Sequence, residues 1–214
     1  NQIKSKCTDL RNIIVVDGIG SDTLNWNESL SKEKNSFQPI QTYAIDPALL
    51  IYTSGTTGTP KGALIPHSAI IGTIPGFVAS QNGYPKEGNM FWSPADWAWT
   101  GGLMDALLPS LYFGQSILAY KGRFSAETAL YLLDKYKVTN TFLFPTVLKL
   151  MKKSVPNPRE KFQIKLRAIM SAGEAVGDEV FNWAKSAFGV TINEMFGQTE
   201  ANYIVGNSSE QWPA

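Results

Sequence analysis

The stretch IYTSGTTGTPKGALIPH, residues 51–67, sets three glycines, four threonines, one serine and one lysine behind a short apolar run. Gly55, Gly58 and Gly62 can take positive φ and let a ligand come close to the backbone. Successive N–H groups in such a loop form an anion-binding concavity. Thr53, Ser54, Thr56, Thr57 and Thr59 add hydroxyl donors, Lys61 adds a point charge, and Pro60 stiffens the chain just before it. Many neutral donors with one cation suit a polyphosphate. The pattern is not a Walker A loop: where that motif, counted from Gly55, needs glycine and then Ser or Thr, this chain has Pro60 and Gly62. The G-x-G-x-x-G spacing of dinucleotide sites is absent from it as well. On residue types alone, a mobile surface turn stays open as the plainer reading.

The elements that would present this loop alternate strand and helix. A strand ALLIYTS leads into it. QSILAY (115–120) reads as a strand, and SAETALYLLDKYK as a helix with Ser125 at the N-cap and Glu127 in the first turn, where the helix dipole favours an anion. Ala126, Leu130 and Leu133 fall at i, i+4 and i+7 on one buried face. TNTFLF is the next strand, stopped by Pro145. TVLKLMKK follows as a short helix with Val147, Leu150 and Met151 on one side. LRAIMS is a strand, GDEVFNWAKSAFG a helix closed by Gly189, and VTINEMF a final strand. Strand starts recur about every 25 residues, as in stacked β-α-β units around a mostly parallel sheet, so the fold class is α/β. In such sheets ligands bind beyond the carboxyl ends of the strands, where segments 53–62, 171–176 and 196–200 fall. The polar segments 21–42 and 154–163 read as flexible. His67, the sole histidine, has no Ser or Cys nucleophile pattern with it and reads as a packing or hydrogen-bonding residue at a helix start.

YTSGTTGTPKG (52–62) closely resembles the phosphate-loop signature of the adenylate-forming (AMP-binding) superfamily of acyl-CoA synthetases, luciferases and peptide-synthetase adenylation domains. LRAIMSAGEAV (166–176) and EMFGQTE (194–200) follow in that family's order, and SPADWAWTGGL (93–103) is similar to the acetyl-CoA and medium-chain acyl-CoA synthetase branch. The resemblance implies a carboxylate attacking the α-phosphate of ATP, with pyrophosphate released and the acyl group passed to coenzyme A. It implies that Thr53 to Lys61 surround the β- and γ-phosphates. Gly173, Glu174 and Ala175 would flank the adenine, with proline in many relatives where this chain has Ala175. In Glu194, Met195, Phe196, Gly197, Gln198, Thr199 and Glu200, Phe196 would offer adenine an aromatic face, Thr199 would donate to the α-phosphate, and Glu200 would help hold Mg²⁺. Gln198 would be a positioning contact. Acetate-specific relatives place tryptophan at the position of Gly197, so glycine implies an acyl pocket open to something longer than acetate. Trp97 and Trp99 would line that pocket, or else belong to the core. Two alternatives are an adenylation domain that loads a carrier protein and a nucleotide-binding module without chemistry.

Bulk composition fits these expectations. At 43% hydrophobic and 17% charged the chain is of globular type, and a formal net charge of +1 gives nucleic acid no electrostatic footing. Cys7 is the only cysteine, which excludes an internal disulfide and favours a cytoplasmic setting. Its apolar runs are broken short of the ~20 residues of a membrane helix, so no membrane insertion is expected. Nothing in the sequence speaks for one oligomeric state. Residues 1–214 read as the central part of a large N-terminal adenylation domain, with the small C-terminal domain that bears the family's adenylation lysine lying outside. Little or no ligase turnover is therefore expected of this chain by itself; near-normal turnover in a ligation assay would contradict that reading.

Overall fold

The computed structural model describes residues 6–18, 20–54 and 58–212. The chain divides into two compact units, Asn1–Thr42 and Tyr43–Ala214. In the first, strand β1 (Ile14–Val15) pairs parallel with β2 (Leu24–Asn25), and helix α1 (Trp26–Ser31) follows directly. Asn25 caps α1 by accepting from the Glu28 N–H at 3.0 Å. The polar run 21–42 thus carries a strand and a helix at its start.

The second unit begins with strands β3 (Pro47–Thr53) and β4 (Lys61–Pro66), paired antiparallel with Thr53 opposite Lys61. This corrects one expectation: the threonine-glycine loop is the tip of a separate two-stranded hairpin, not a connection at the edge of the parallel sheet. The sequence between Pro60 and His67 supplies the second strand, so the chain returns on itself instead of entering a helix. Helix α2 (Ser68–Ser80) comes next. His67 stands at its N-cap, exposed and without a side-chain capping bond.

The remaining strands are β5 (Met90–Trp92), β6 (Ser116–Ile117), β7 (Asn140–Phe142), β8 (Ala168–Ala172), β9 (Ile192–Gln198) and β10 (Asn202–Gly206). They form one six-stranded sheet in the order β10-β9-β8-β7-β5-β6, in which β10 alone runs antiparallel. Between β5 and β6 lie α3 (Thr100–Gly102), a π-turn (Leu103–Leu107) and α4 (Leu108–Tyr112). The later crossovers are α5 (Ala126–Lys135), α6 (Pro145–Ser154) and α7 (Asp178–Phe188). From β5 the chain steps outward to β6; from β6 it crosses back to β7 and continues through β8 to β9. Right-handed crossovers taken in opposite directions place their helices on opposite faces. The packing agrees: α5, α6 and α7 share one core with Trp92, Ile169 and Ile192, while Phe77 of α2 and Ala106 of the π-turn share another with Phe91, Met170 and Met195. Covered on both sides, β8 is buried along its whole length. The direction of travel reverses between β5 and β7, which makes their carboxyl ends the switch point where a ligand crevice is expected.

Local readings hold where side-chain chemistry decides them. Ser125 accepts from the Thr128 N–H at 3.1 Å, and Ala126, Leu130 and Leu133 are buried. In α6 the inward face differs from expectation: Leu148 and Met151 are fully buried and Leu150 is 45% exposed. Val147 and Met151 pack inward as expected, and Leu148 takes the inward place expected for Leu150. Leu148→Ala should therefore cost about 2–5 kcal/mol in urea unfolding, and Leu150→Ala less than about 0.5 kcal/mol.

One charged residue sits inside the second core. Asp105, on the π-turn, is 4% exposed and faces Asn202 and Tyr203. Burial pushes its carboxyl from an ordinary 3.8 up to about 7, against a smaller opposing pull from the polar groups of Asn202 and Tyr203. Burial and the nearby Asp105 carboxylate keep the Tyr203 phenol protonated. The folded state holds the Asp105 proton more tightly than the unfolded chain does. Its contribution is complete below about pH 4 and is lost as pH rises through about 7, a change on the order of 4 kcal/mol. Asp105→Asn should thus gain stability relative to the native chain as pH rises across that window; a difference flat with pH would show the carboxyl to be solvated.

Candidate functional site

Parallel strands end together, and the turns that leave them carry the residues singled out above. After β8 the chain turns at Gly173, whose φ of +95° lies in the region that glycine favours, and Gly173, Glu174 and Ala175 are all exposed. Alternation along β9 sends Glu194 and Phe196 to one face and Met195 and Gly197 to the other. The Glu194 carboxylate accepts from the Val176 N–H at 3.1 Å, tying the turn after β8 to β9. Phe196, 56% exposed, stands on the same face as that tie. The group expected around a flat ring is thus gathered on one side of β9, although Glu194 serves it as a brace. Met195 points the other way into the core at 6% exposure.

Beyond β9, Gln198 begins a turn through Thr199, Glu200 and Ala201, and Asn202 starts β10 opposite Gln198. In this structure a Cβ at Gly197 would lie 2.0 Å from the Asn202 carbonyl oxygen, so β10 comes close to the backbone there, and Gly197 does not line the cavity beside this turn.

A cavity of about 340 Å³ lies beside this turn. One wall is β4 and the start of α2, through Ala63, Ile65 and Ala69; the facing wall holds Thr199, Glu200 and Tyr203, and Thr100 and Met104 close it. Strand β4 borders this hollow through Ala63, Leu64, Ile65 and Pro66, and Lys61, at the start of the same strand, is not among the residues that line it. Thr53 is half-buried at the end of β3; Ser54, Gly58, Thr59, Pro60 and Lys61 are exposed at the hairpin tip. Gly55, Thr56 and Thr57 lie outside the described residues.

The tryptophans belong elsewhere. Trp97 lines a second hollow of about 460 Å³ beyond β5 and β6, with Asp96 on its side and Tyr120 and Lys121 across from it. Trp99 is 58% exposed at the N-cap of α3. Neither is core, and the structure brings neither them nor Gly197 to the wall of the Thr199–Glu200 cavity. Sequence reasoning missed Thr100, Met104, Asp105, Asn202 and Tyr203. The available signal was the single carboxylate inside the apolar run LMDALLP, which marks either a break in the run or a buried charge.

Among the described residues no three of His, Cys, Asp and Glu gather as a metal cage. Glu200 is an exposed carboxylate beside the Thr199 hydroxyl. A hard divalent cation takes such a site with one carboxylate and the oxygens of a bound phosphate chain, so these residues fit magnesium carried with a nucleotide.

No helix among the described residues is long and apolar enough to cross a membrane. The family model for AMP-binding enzymes matches residues 1–214. Similar proteins include an uncharacterised acyl–CoA ligase, YtcI, of Bacillus subtilis strain 168, 31% identical over 196 residues that cover 90% of this chain and 36% of that protein. The acetyl-coenzyme A synthetase of the same organism is 28% identical over 203 residues, covering 91% of this chain and 34% of its own. The crystal structure of the Brucella canis acyl-CoA synthetase aligns with a TM-score of 0.84 at 24% identity, over 97% of this chain and 39% of that one, a likeness of fold. The chain spans about a third of the length of the curated relatives it matches. A family match along the full sequence, on a sheet that presents the matching turns at its carboxyl edge, leaves one assignment: the chain belongs to the AMP-binding enzyme family.

Proposed function

We propose that this chain forms the ATP floor and part of the acid pocket of an AMP-forming acid–thiol ligase. In the first half-reaction a carboxylate attacks the α-phosphate of ATP, giving an acyl-adenylate and pyrophosphate. In the second, the thiol of coenzyme A takes the acyl group and AMP leaves. The names of the relatives support coenzyme A as the acceptor. The observation that carries the reading is a cavity lined by both Thr199 and Glu200 and by Ala63, Leu64, Ile65 and Pro66 of strand β4, the strand that begins at Lys61.

Joining two anions demands positioning and charge stabilisation more than covalent help from the protein. Lys61 and the hydroxyls from Thr53 to Thr59 hold the β- and γ-phosphates. Thr199 donates to the α-phosphate, and Glu200 holds the magnesium that accompanies ATP. Bound there, magnesium would neutralise charge on the phosphate oxygens. Phe196 and the turn Gly173–Ala175 receive the adenine on the far face of β9. The apolar wall of Ala63, Ile65, Ala69 and Met104 takes the acid's carbon chain, and about 340 Å³ suits a short- to medium-chain acid. We place the reaction in the cytoplasm, on the strength of the single cysteine.

In the whole gene product, a panel of carboxylic acids should support ATP–pyrophosphate exchange. Lys61→Ala and Glu200→Gln should each lower its kcat by about 10²–10³-fold with the fold intact by circular dichroism. Exchange undisturbed by both substitutions would overturn the phosphate and magnesium roles of Lys61 and Glu200.

A further inference from the structure

Among the described residues Asp105 is the only Asp, Glu, Lys or Arg that the fold buries. Its side chain is hydrogen-bonded to those of Asn202 and Tyr203. Asn202, itself buried, is the first residue of β10 and pairs with Gln198, the last of β9. Between those two partners lie only Thr199, Glu200 and Ala201. Within the turn the Ala201 N–H donates to the Gln198 carbonyl at 3.1 Å, and Glu200 and Ala201 are exposed. The turn is therefore held at its foot, and Asn202 is the buried side of that foot. Its φ of +51° is uncommon outside glycine, and the bond to Asp105 anchors the residue in that conformation.

The other end of this link is the wall on which the acid lies. Asp105 belongs to the helical run 100–112, which the π-turn Leu103–Leu107 interrupts. Such turns are rare inside helices and occur mostly at functional sites. Thr100 and Met104 of this run line the cavity, and so do Thr199, Glu200, Asn202 and Tyr203. Asp105 does not line it, so any part it plays in the reaction passes through residues that do. An apolar side chain could fill its place at no desolvation cost, but it could not bond to β10. We infer that Asp105 is a positioning residue for adenylation: through Asn202 and Tyr203 it fixes the turn that presents Thr199 and Glu200, and it ties that turn to the segment whose Thr100 and Met104 meet the acid. The inference rests on the ligase reading and adds to it a residue that touches no substrate.

The test is ATP–pyrophosphate exchange by the whole gene product, with the acid it uses best from butyrate to octanoate, together with amide hydrogen exchange of the free enzyme. Asp105→Ala removes both bonds. It should lower kcat by about 10–100-fold, the effect that a shift of about 1 Å in a positioned group produces, while KM for the acid changes less than about threefold. Amides of residues 198–203 should exchange faster, and those of α5, α6 and α7 should keep native protection. Asp105→Asn keeps an oxygen for Asn202 and should hold kcat within about threefold of native. Asn202→Gly suits the positive φ and lacks the side chain, so it should lose as much as Asp105→Ala, and it carries the test should that variant not fold. The double variant should lose no more than either alone, because the two residues act as one link. Native kcat in Asp105→Ala or Asn202→Gly, additive losses in the double variant, or a loss confined to a raised KM for the acid would overturn the inference and leave the ligase reading standing. Exchange that needs no acid would refute the ligase reading, and the amide exchange of 198–203 would then still decide whether Asp105 holds the turn.

Discussion

Strand β9 leaves a parallel sheet and, after the turn Thr199–Ala201, is paired by a strand running the other way. That reversal is sterically possible because Gly197 offers only hydrogen where the Asn202 carbonyl comes to rest. With this backbone, a side chain at 197 would require β10 to shift locally. Tyr203, next along β10, lays its ring over Gly76 of α2, where a Cβ would sit 2.6 Å from it. The turn with Thr199 and Glu200 is thus held from two directions by contacts that glycine alone permits, one within the hairpin and one to the helix beneath it. Rigid backbone supports of this kind let exposed polar side chains keep a fixed position without partners of their own.

The opposite edge of the sheet shows the complementary strategy. There Asn193 on β9 donates to the Ser80 carbonyl and to Asn82, Asn140 on β7 donates to Gln81, and Asn89 donates to Thr139 and Asn140. These residues are buried, and their bonds fasten the start of the strands to the end of α2. Buried polar networks that are satisfied rigidify a fold and specify its register. At the carboxyl edge Glu194, Ser93 and Ser171 are hydrogen-bonded, while Gly173–Ala175 and Glu200 are exposed in the turns. The sheet is bonded shut at one end and left open at the other, as a scaffold must be if the open end is to hold something it does not itself contain.

How much of this could be read from the sequence depended on whether a residue's neighbours in the chain were also its neighbours in space. Ser125 was readable as a cap because its partner, Thr128, lies only three residues further on. So were the strand-helix alternation and the buried face of α5. In α6 the residues 147, 148, 150 and 151 are all apolar, and packing against α5 and α7, not spacing, buries Leu148 and leaves Leu150 exposed. The glycine-rich loop was legible as a motif through its composition, but not its place on a hairpin, because pairing of β3 with β4 depends on register and not on residue type. The close backbone beside Gly197 could not be read either, for the same reason. Its constraint comes from a strand that starts beyond the recognised motif, and nothing inside EMFGQTE announces it.

Asp105 is the hardest residue to explain by stability alone. A carboxyl in an apolar core destabilises the fold unless it is paired, and its neighbours Asn202 and Tyr203 only partly offset the burial. A leucine at that position would continue the run LMDALLP without that penalty. The π-turn adds to the puzzle, since an extra residue per turn weakens a helix that regular α geometry would serve better. Two local penalties in one turn, placed behind the wall of the cavity that holds Thr199 and Glu200, are what a protein tolerates where binding and not folding sets the residue. The interior of this fold is therefore shaped from the cavity outward as much as from the core inward.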